Sequence, residues 1–153
     1  MKKLLRLTAL LLVAVCALGF AACSKYNALK GAFEKQGYTE SQDVEKWTDE
    51  INKEINGGEK KDMVTNIHVL SKVSGLSSTI VLILEFKATD DMIDFYKESA
   101  TAQGFVKDVS ENQSAKDFYN ALVEGGYACG NCLVISANPL AFNEVTGIVK
   151  SVK

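Results

Sequence analysis

Two cysteines and one histidine are the residues of this chain best equipped for chemistry. Cys129-Gly130-Asn131-Cys132 sets two thiols three positions apart. Such a pair can close a small disulfide, stay as free thiols, or exchange electrons with a partner if one thiol has a depressed pKa. His68 is the only histidine, and imidazole is the side chain whose ordinary pKa lies nearest neutrality. Catalysis or metal binding are its sharper readings, and a surface histidine is the plainer and favoured one. Zinc needs four ligands, which two thiols and one distant imidazole do not supply, so no metal or other cofactor is expected. Asn66, His68 and Lys72 fall on the more polar side of a strand pattern and are the candidate ligand-binding residues.

The elements that must position these residues follow from hydrophobic period. Tyr26, Leu29 and Phe33 recur at helical spacing, with Gly37 as a left-handed stop. Thr39 and Gln42 have the spacing of a capping box and open a second helix through Val44, Trp47, Ile51 and Ile55. Trp47 is in register with that stripe, so core packing is preferred to ligand stacking. From Met63 the period becomes two, through Thr65, Ile67 and Val69, and Val73 extends the same face. After Ser74-Gly75-Leu76-Ser77 comes Thr79–Leu84, which is apolar on both faces and reads as a central strand hairpinned to the first.

Thr89 with Asp90 and Asp91 marks a helix start, the carboxylates meeting the positive end of the helix dipole. That helix carries Met92, Ile93 and Tyr96 and runs to Gln103-Gly104. Phe105–Val109 is a candidate edge strand. Ser114 with Asp117 opens a further helix, which Gly125-Gly126 ends. Tyr127–Cys129 and Cys132–Ala137 flank Gly130-Asn131, a pair suited to a two-residue hairpin turn. Asn138-Pro139 caps a last helix carrying Ala141, Val145, Ile148 and Val152.

These elements predict an α+β domain: an antiparallel sheet of four to five strands with helices chiefly on one face. The succession from the 79–87 strand to the last helix resembles part of a ferredoxin-like plait. Shifting the chain by 67 positions gives a weak internal repeat, laying Leu29 on Tyr96, Gln36-Gly37-Tyr38 on Gln103-Gly104-Phe105 and Ile67 on Val134. A true duplication requires both hairpins in one antiparallel sheet with a pseudo-twofold.

The cysteine spacing resembles the dithiol motif of thioredoxin-like redox proteins, where the first cysteine sits at a helix N-terminus. Here an apolar strand, Leu133-Val134-Ile135, follows the motif, so the context departs from that family. A disulfide pinning the hairpin is the favoured reading, with thiol–disulfide exchange through Cys129 and Cys132 as the alternative.

The N-terminus carries an address. Lys2, Lys3 and Arg6, the apolar run Leu7–Leu18 and the small residues before Cys23 have the three-part order of a secretory signal. The apolar run is shorter than the roughly 20 residues that span a bilayer. Phe20-Ala21-Ala22-Cys23 resembles the lipobox of bacterial lipoproteins, with Phe20 where that family more often has Leu. The resemblance implies removal of residues 1–22, acylation of Cys23, and a single domain over 23–153 tethered to the extracytoplasmic face of a membrane. In a Gram-negative envelope, Ser24 is compatible with onward transport to the outer membrane. Cys16 follows Val15, where a small residue is wanted, and is the poorer site.

Of the 17 Lys and Arg residues, Lys2, Lys3 and Arg6 leave with the signal, so 14 face 19 Asp and Glu, a net charge of −5. That balance disfavours nucleic acid as a partner. The chain has no Gly-x-Ser-x-Gly elbow and no phosphate-binding loop ending Gly-Lys-Ser/Thr. The expectation is a non-enzymatic lipoprotein whose partners are the membrane, through its anchor, and an envelope protein or extracellular ligand. A small-molecule carrier using the sheet face opposite the helices is a further alternative.

Overall fold

The computed structural model describes residues 25–41, 64–75, 77–105 and 114–152. The signal segment with Cys16 and Cys23, the helix expected around Trp47, and the 106–109 part of the expected edge strand lie outside these residues.

Helix α1 covers residues 25–34, and its Leu29 and Phe33 are fully buried. Past it, Tyr38 N donates to Phe33 O at 3.1 Å, and the Tyr38 ring meets Phe33 edge-on at 5.1 Å. The chain then enters β1 (Thr39–Glu40), which pairs antiparallel with Ser71 and Leu70. Thr39 is therefore a strand residue and not the helix cap its spacing suggested. Local capping chemistry lost to pairing with a strand 30 residues away.

Strands β2 (Val64–Ser74) and β3 (Ser77–Phe86) form the expected hairpin, with Ser74 opposite Ser77. A bulge at Thr65 places Asn66 opposite Glu85. Helix α2 (Thr89–Glu98) has Ala88 at its cap position, so Thr89 lies inside the helix. The helix stops at Ser99, whose hydroxyl accepts from Ala102 N at 3.1 Å and starts a short α3 (Ala100–Phe105). Phe105 thus ends a helix and does not begin an edge strand.

Helix α4 (Ala115–Gly125) is capped by Ser114, which accepts from Asp117 N, and closes at Gly126 in the left-handed conformation. A β-carbon at Gly126 would stand 2.5 Å from Thr146 O, so the position needs glycine for both its φ of +82° and its close approach. Strands β4 (Ala128–Cys129) and β5 (Cys132–Ser136) flank the Gly130-Asn131 turn as expected. A 3₁₀ turn (Pro139–Ala141), capped by the Asn138 side chain, leads into α5 (Phe142–Ser151).

The fold is α+β, with one five-stranded antiparallel sheet in the order β1-β2-β3-β5-β4. Strand β3 is central and buries both of its faces. Leu82, Leu84 and Phe86 join Leu133 and Ile135 beneath Phe95 and Tyr96 of α2 and Phe118 and Leu122 of α4. Val81 and Ile83 join Val134 on the other side, beneath Leu29 and Phe33 of α1 and Val145, Ile148 and Val149 of α5. Helices therefore cover both faces, which corrects their expected placement on one. The reason lies in β3 and β5: their two faces are equally apolar, and each needs a cover.

The plait likeness is partial for the same cause. Strands β3 and β4 run parallel with β5 between them, as in a split β-α-β unit, but α5 packs on the face opposite α2 and α4. The internal repeat fails on faces as well. Both hairpins do share one antiparallel sheet, yet the proposed equivalents Leu29 and Tyr96 lie in opposite cores. The offset also lays Ile67 of β2 on Val134 of β5, two strands that run parallel, whereas a twofold between the hairpins reverses strand direction.

Candidate functional site

The densest polar constellation among the described residues surrounds His68. The alternation of β2 sends Asn66 and His68 to the α1 side of the sheet, and the Thr65 bulge aligns Asn66 with Glu85 of β3. Asn66 Nδ2 donates to Glu85 Oε2 at 2.8 Å. His68 Nε2 lies 3.2 Å from the same oxygen, and His68 Nδ1 lies 3.1 Å from Glu40 Oε1. Each ring nitrogen of His68 thus faces a carboxyl oxygen, one from β1 and one from β3. From α1, the Tyr26 ring stacks on the imidazole with centroids 3.5 Å apart. Its hydroxyl donates to Glu40 Oε1 at 2.5 Å, and Lys30 Nζ donates to Glu40 Oε2 at 2.6 Å.

Electrostatics follow from this geometry. Hydrogen bonds from Lys30, then Tyr26 and His68, hold the Glu40 carboxyl at about 2, well below its ordinary range, against the opposing effect of burial. Burial first, then Glu40, pushes the Tyr26 hydroxyl far up. The Glu40 hydrogen bond and charge raise the Lys30 ammonium. Glu85 is 8% exposed and has an imidazole nitrogen and a donating amide on one of its oxygens.

The His68 side chain is 19% exposed, which corrects its reading as a surface histidine. With a carboxylate on each ring nitrogen and a tyrosine on its face, the imidazole has no free nitrogen to take a proton from a substrate. The arrangement clasps α1 and β1 to β2 and β3. Three of its members, Lys30, Glu40 and Glu85, were not singled out in the sequence, and Tyr26 was read only as part of an apolar helix face. Strand alternation alone could have flagged Glu85, which sits near the end of a hairpin already paired with the His68 strand.

Lys72 shares the face of Asn66 and His68 but does not converge with them. Its ammonium reaches Glu144 on α5 at 2.7 Å and lies 5.3 Å from the Tyr38 ring centroid. Burial, aided by the charge of Glu144, pushes the Tyr38 hydroxyl up to about 12. The sheet face expected to be open for a carried ligand is the one that α1 and α5 cover.

Cys129 and Cys132 stand directly opposite each other across the Gly130-Asn131 turn. Both are buried free thiols. Burial pushes Cys132 up to about 12, with Glu85 and Cys129 adding to it. Burial also raises Cys129, while the charge of Lys25 opposes it. Neither thiol has the depressed pKa that a dithiol enzyme needs, and the flanking elements are strands, as the sequence indicated. The turn is held independently: Phe86 N donates to Asn131 O at 2.9 Å, Asn131 Nδ2 to Phe86 O at 2.5 Å, and Tyr119 OH to Gly130 O at 3.1 Å. A hollow of about 390 Å³ beside the turn is lined in part by Lys25, Tyr119, Cys129, Lys150 and Val152.

Among the described residues, no helix is long and apolar enough to cross a membrane, and no three His, Cys, Asp or Glu side chains group as a metal site would require. Compared with protein-family models, with curated proteins and with solved structures, the chain finds no match in any of the three.

Proposed function

We propose that the chain is an extracytoplasmic lipoprotein, anchored through Cys23, whose domain is a non-enzymatic binding module of the cell envelope. The sequence Phe20-Ala21-Ala22-Cys23 after a charged head and an apolar run carries this reading. The position of α1 supports it. That helix is in place from residue 25 and is sunk into the core through Leu29 and Phe33. Only Ser24 stands between Cys23 and its first residue, a reach of at most ~7 Å over two residue steps. A diacylglyceryl group at Cys23 would supply the two chains that stable anchoring takes and hold the domain close against the bilayer.

Orientation follows from the same helix. Lys25 lies against the Gly130 turn, and that turn sits at the Phe86 end of β3, opposite the Gly75 hairpin tip. An anchor at Cys23 puts the Gly130 turn toward the lipid and turns the Gly75 tip outward. Exposed Val73, in β2 near that tip, and Leu140, which follows the Asn138 cap bonded to Ser78 and Thr79, lie at this outer end.

Labelling cells with a palmitate analogue and fractionating them tests the anchor. The expected outcome is label and membrane sedimentation for the wild type, and neither for Cys23→Ser. An unmodified Cys23 at the N-terminus of the membrane-isolated protein would overturn the reading. Crosslinking in intact cells tests the binding role: a discrete adduct of constant mass supports it, and a chain that stays alone across growth conditions counts against it.

A further inference from the structure

The last hairpin sets two buried free thiols directly opposite each other across a two-residue turn. Val134 N donates to Tyr127 O at 2.7 Å. Alternation along the antiparallel pair makes Cys129 and Cys132, two positions nearer the turn, a hydrogen-bonded pair as well. Such pairs stand about 5.5 Å apart at Cα and have β-carbons at the wide end of the 4.5–5.5 Å cross-strand range. A disulfide draws β-carbons to roughly 3.5–4.5 Å. The hairpin would have to tighten to form one, and Asn131 and Tyr119 hold it as it is through Phe86 and Gly130.

Two thiolates alone satisfy few metal ions. Zinc completes a tetrahedron with four ligands, and the described residues group no third His, Cys, Asp or Glu with this pair. A monovalent ion with a filled d shell is content with two soft donors in line, and thiolates select copper(I) among the biological metals. We propose that Cys129 and Cys132 form a two-coordinate site for a soft monovalent cation of the copper(I) class, entered from the hollow that opens on Cys129.

The chemistry balances without electron transfer. Each thiol releases its proton, two sulfur–metal bonds form, and the bis-thiolate complex carries one net negative charge. Lys25, which lines the same hollow and lies against Gly130, supplies the facing positive charge. Cys132 is fully buried, which keeps bulk water from the ion on that side, and Glu85, opposite Cys132 in the sheet, is the acidic group that faces the site. Binding releases a proton from each thiol, so loading competes with protons and strengthens as pH rises. The site stands whether or not Cys23 is acylated.

The test uses the full chain in detergent, reduced and kept anaerobic, titrated against the coloured copper(I)–bicinchoninate complex. The wild type is expected to withdraw one copper per chain, and the Cys129→Ser/Cys132→Ser chain none. A Cys16→Ser/Cys23→Ser chain, altered only outside the described fold, is expected to withdraw one as the wild type does. X-ray absorption of the copper-loaded wild type reads the site without any variant, and two sulfur neighbours with no nitrogen or oxygen are expected. Failure of the wild type to compete, copper retained by the Cys129/Cys132 variant, or a coordination shell containing nitrogen or oxygen would each overturn the proposal.

Discussion

Glu40 accepts from Tyr26 and Lys30 and faces a ring nitrogen of His68, so much of what fastens the N-terminal helix to the sheet passes through one carboxylate. Its pKa is about 2 in the fold against an ordinary 4.5. A carboxyl depressed on folding stabilises the fold fully above its unfolded value and loses that contribution as pH falls through the folded value. Glu40→Gln is therefore expected to lower stability by ~1–3 kcal/mol at pH 7, and the gap to wild type should close between pH 4.5 and pH 2. Urea denaturation of both chains across that range checks it. A gap that persists unchanged at pH 2 would contradict the ionic origin. The clasp was half legible in the sequence. Asn66 and His68 share a side by alternation alone, but Glu40 reaches them only because β1 pairs with β2, a long-range choice that no local pattern encodes. Cys129 and Cys132 were legible as a facing pair, because a Gly-Asn turn between apolar runs leaves little other geometry.

At the level of elements, the boundaries read correctly were those with side-chain chemistry at the end of the element. Ser114 with Asp117, Gly126, Gly130-Asn131 and Asn138-Pro139 all act where their types place them. The misread ends include Thr39, drawn into a strand, Thr89, which lies inside its helix with Ala88 at the cap, and Ser99, which breaks a helix because its hydroxyl caps the next turn. Two glycines near the α4–α5 contact provide a test of opposite signs. Gly126→Ala meets Thr146 O at 2.5 Å with φ at +82° and is expected to cost ~1–3 kcal/mol. Gly147→Ala, inside α5 with nothing within 4 Å of the added carbon, is expected to gain about 0.5–1 kcal/mol by restricting the unfolded chain. Melting temperatures of the two variants should move apart from wild type, down for the first and up for the second.

Across the whole molecule, the class of fold was legible because the period changes at Met63 and because β3 is apolar on both faces. The covering of both sheet faces follows from that second fact, which the expectation of helices chiefly on one face did not draw. Leu29→Ala measures how far α1 belongs to the core. As a fully buried side chain in the second core, its truncation is expected to cost ~2–5 kcal/mol in global unfolding. A helix that merely linked an anchor to the domain would give a loss near zero by the same denaturation measurement.

The strand order has a further consequence for timing. Strand β3 meets β2 across a tight turn, but its other neighbour is β5, with Val81 opposite Ser136, 55 positions later. Loop closure over that span must precede the reward of pairing, and its entropic cost is expected to slow folding. Until β5 and α5 have emerged, the central strand lacks one partner and the second core lacks half its cover. A chain built this way stays open through most of its synthesis, the condition in which a polypeptide can be threaded across a membrane, and it commits to its final shape only when its C-terminal segment arrives.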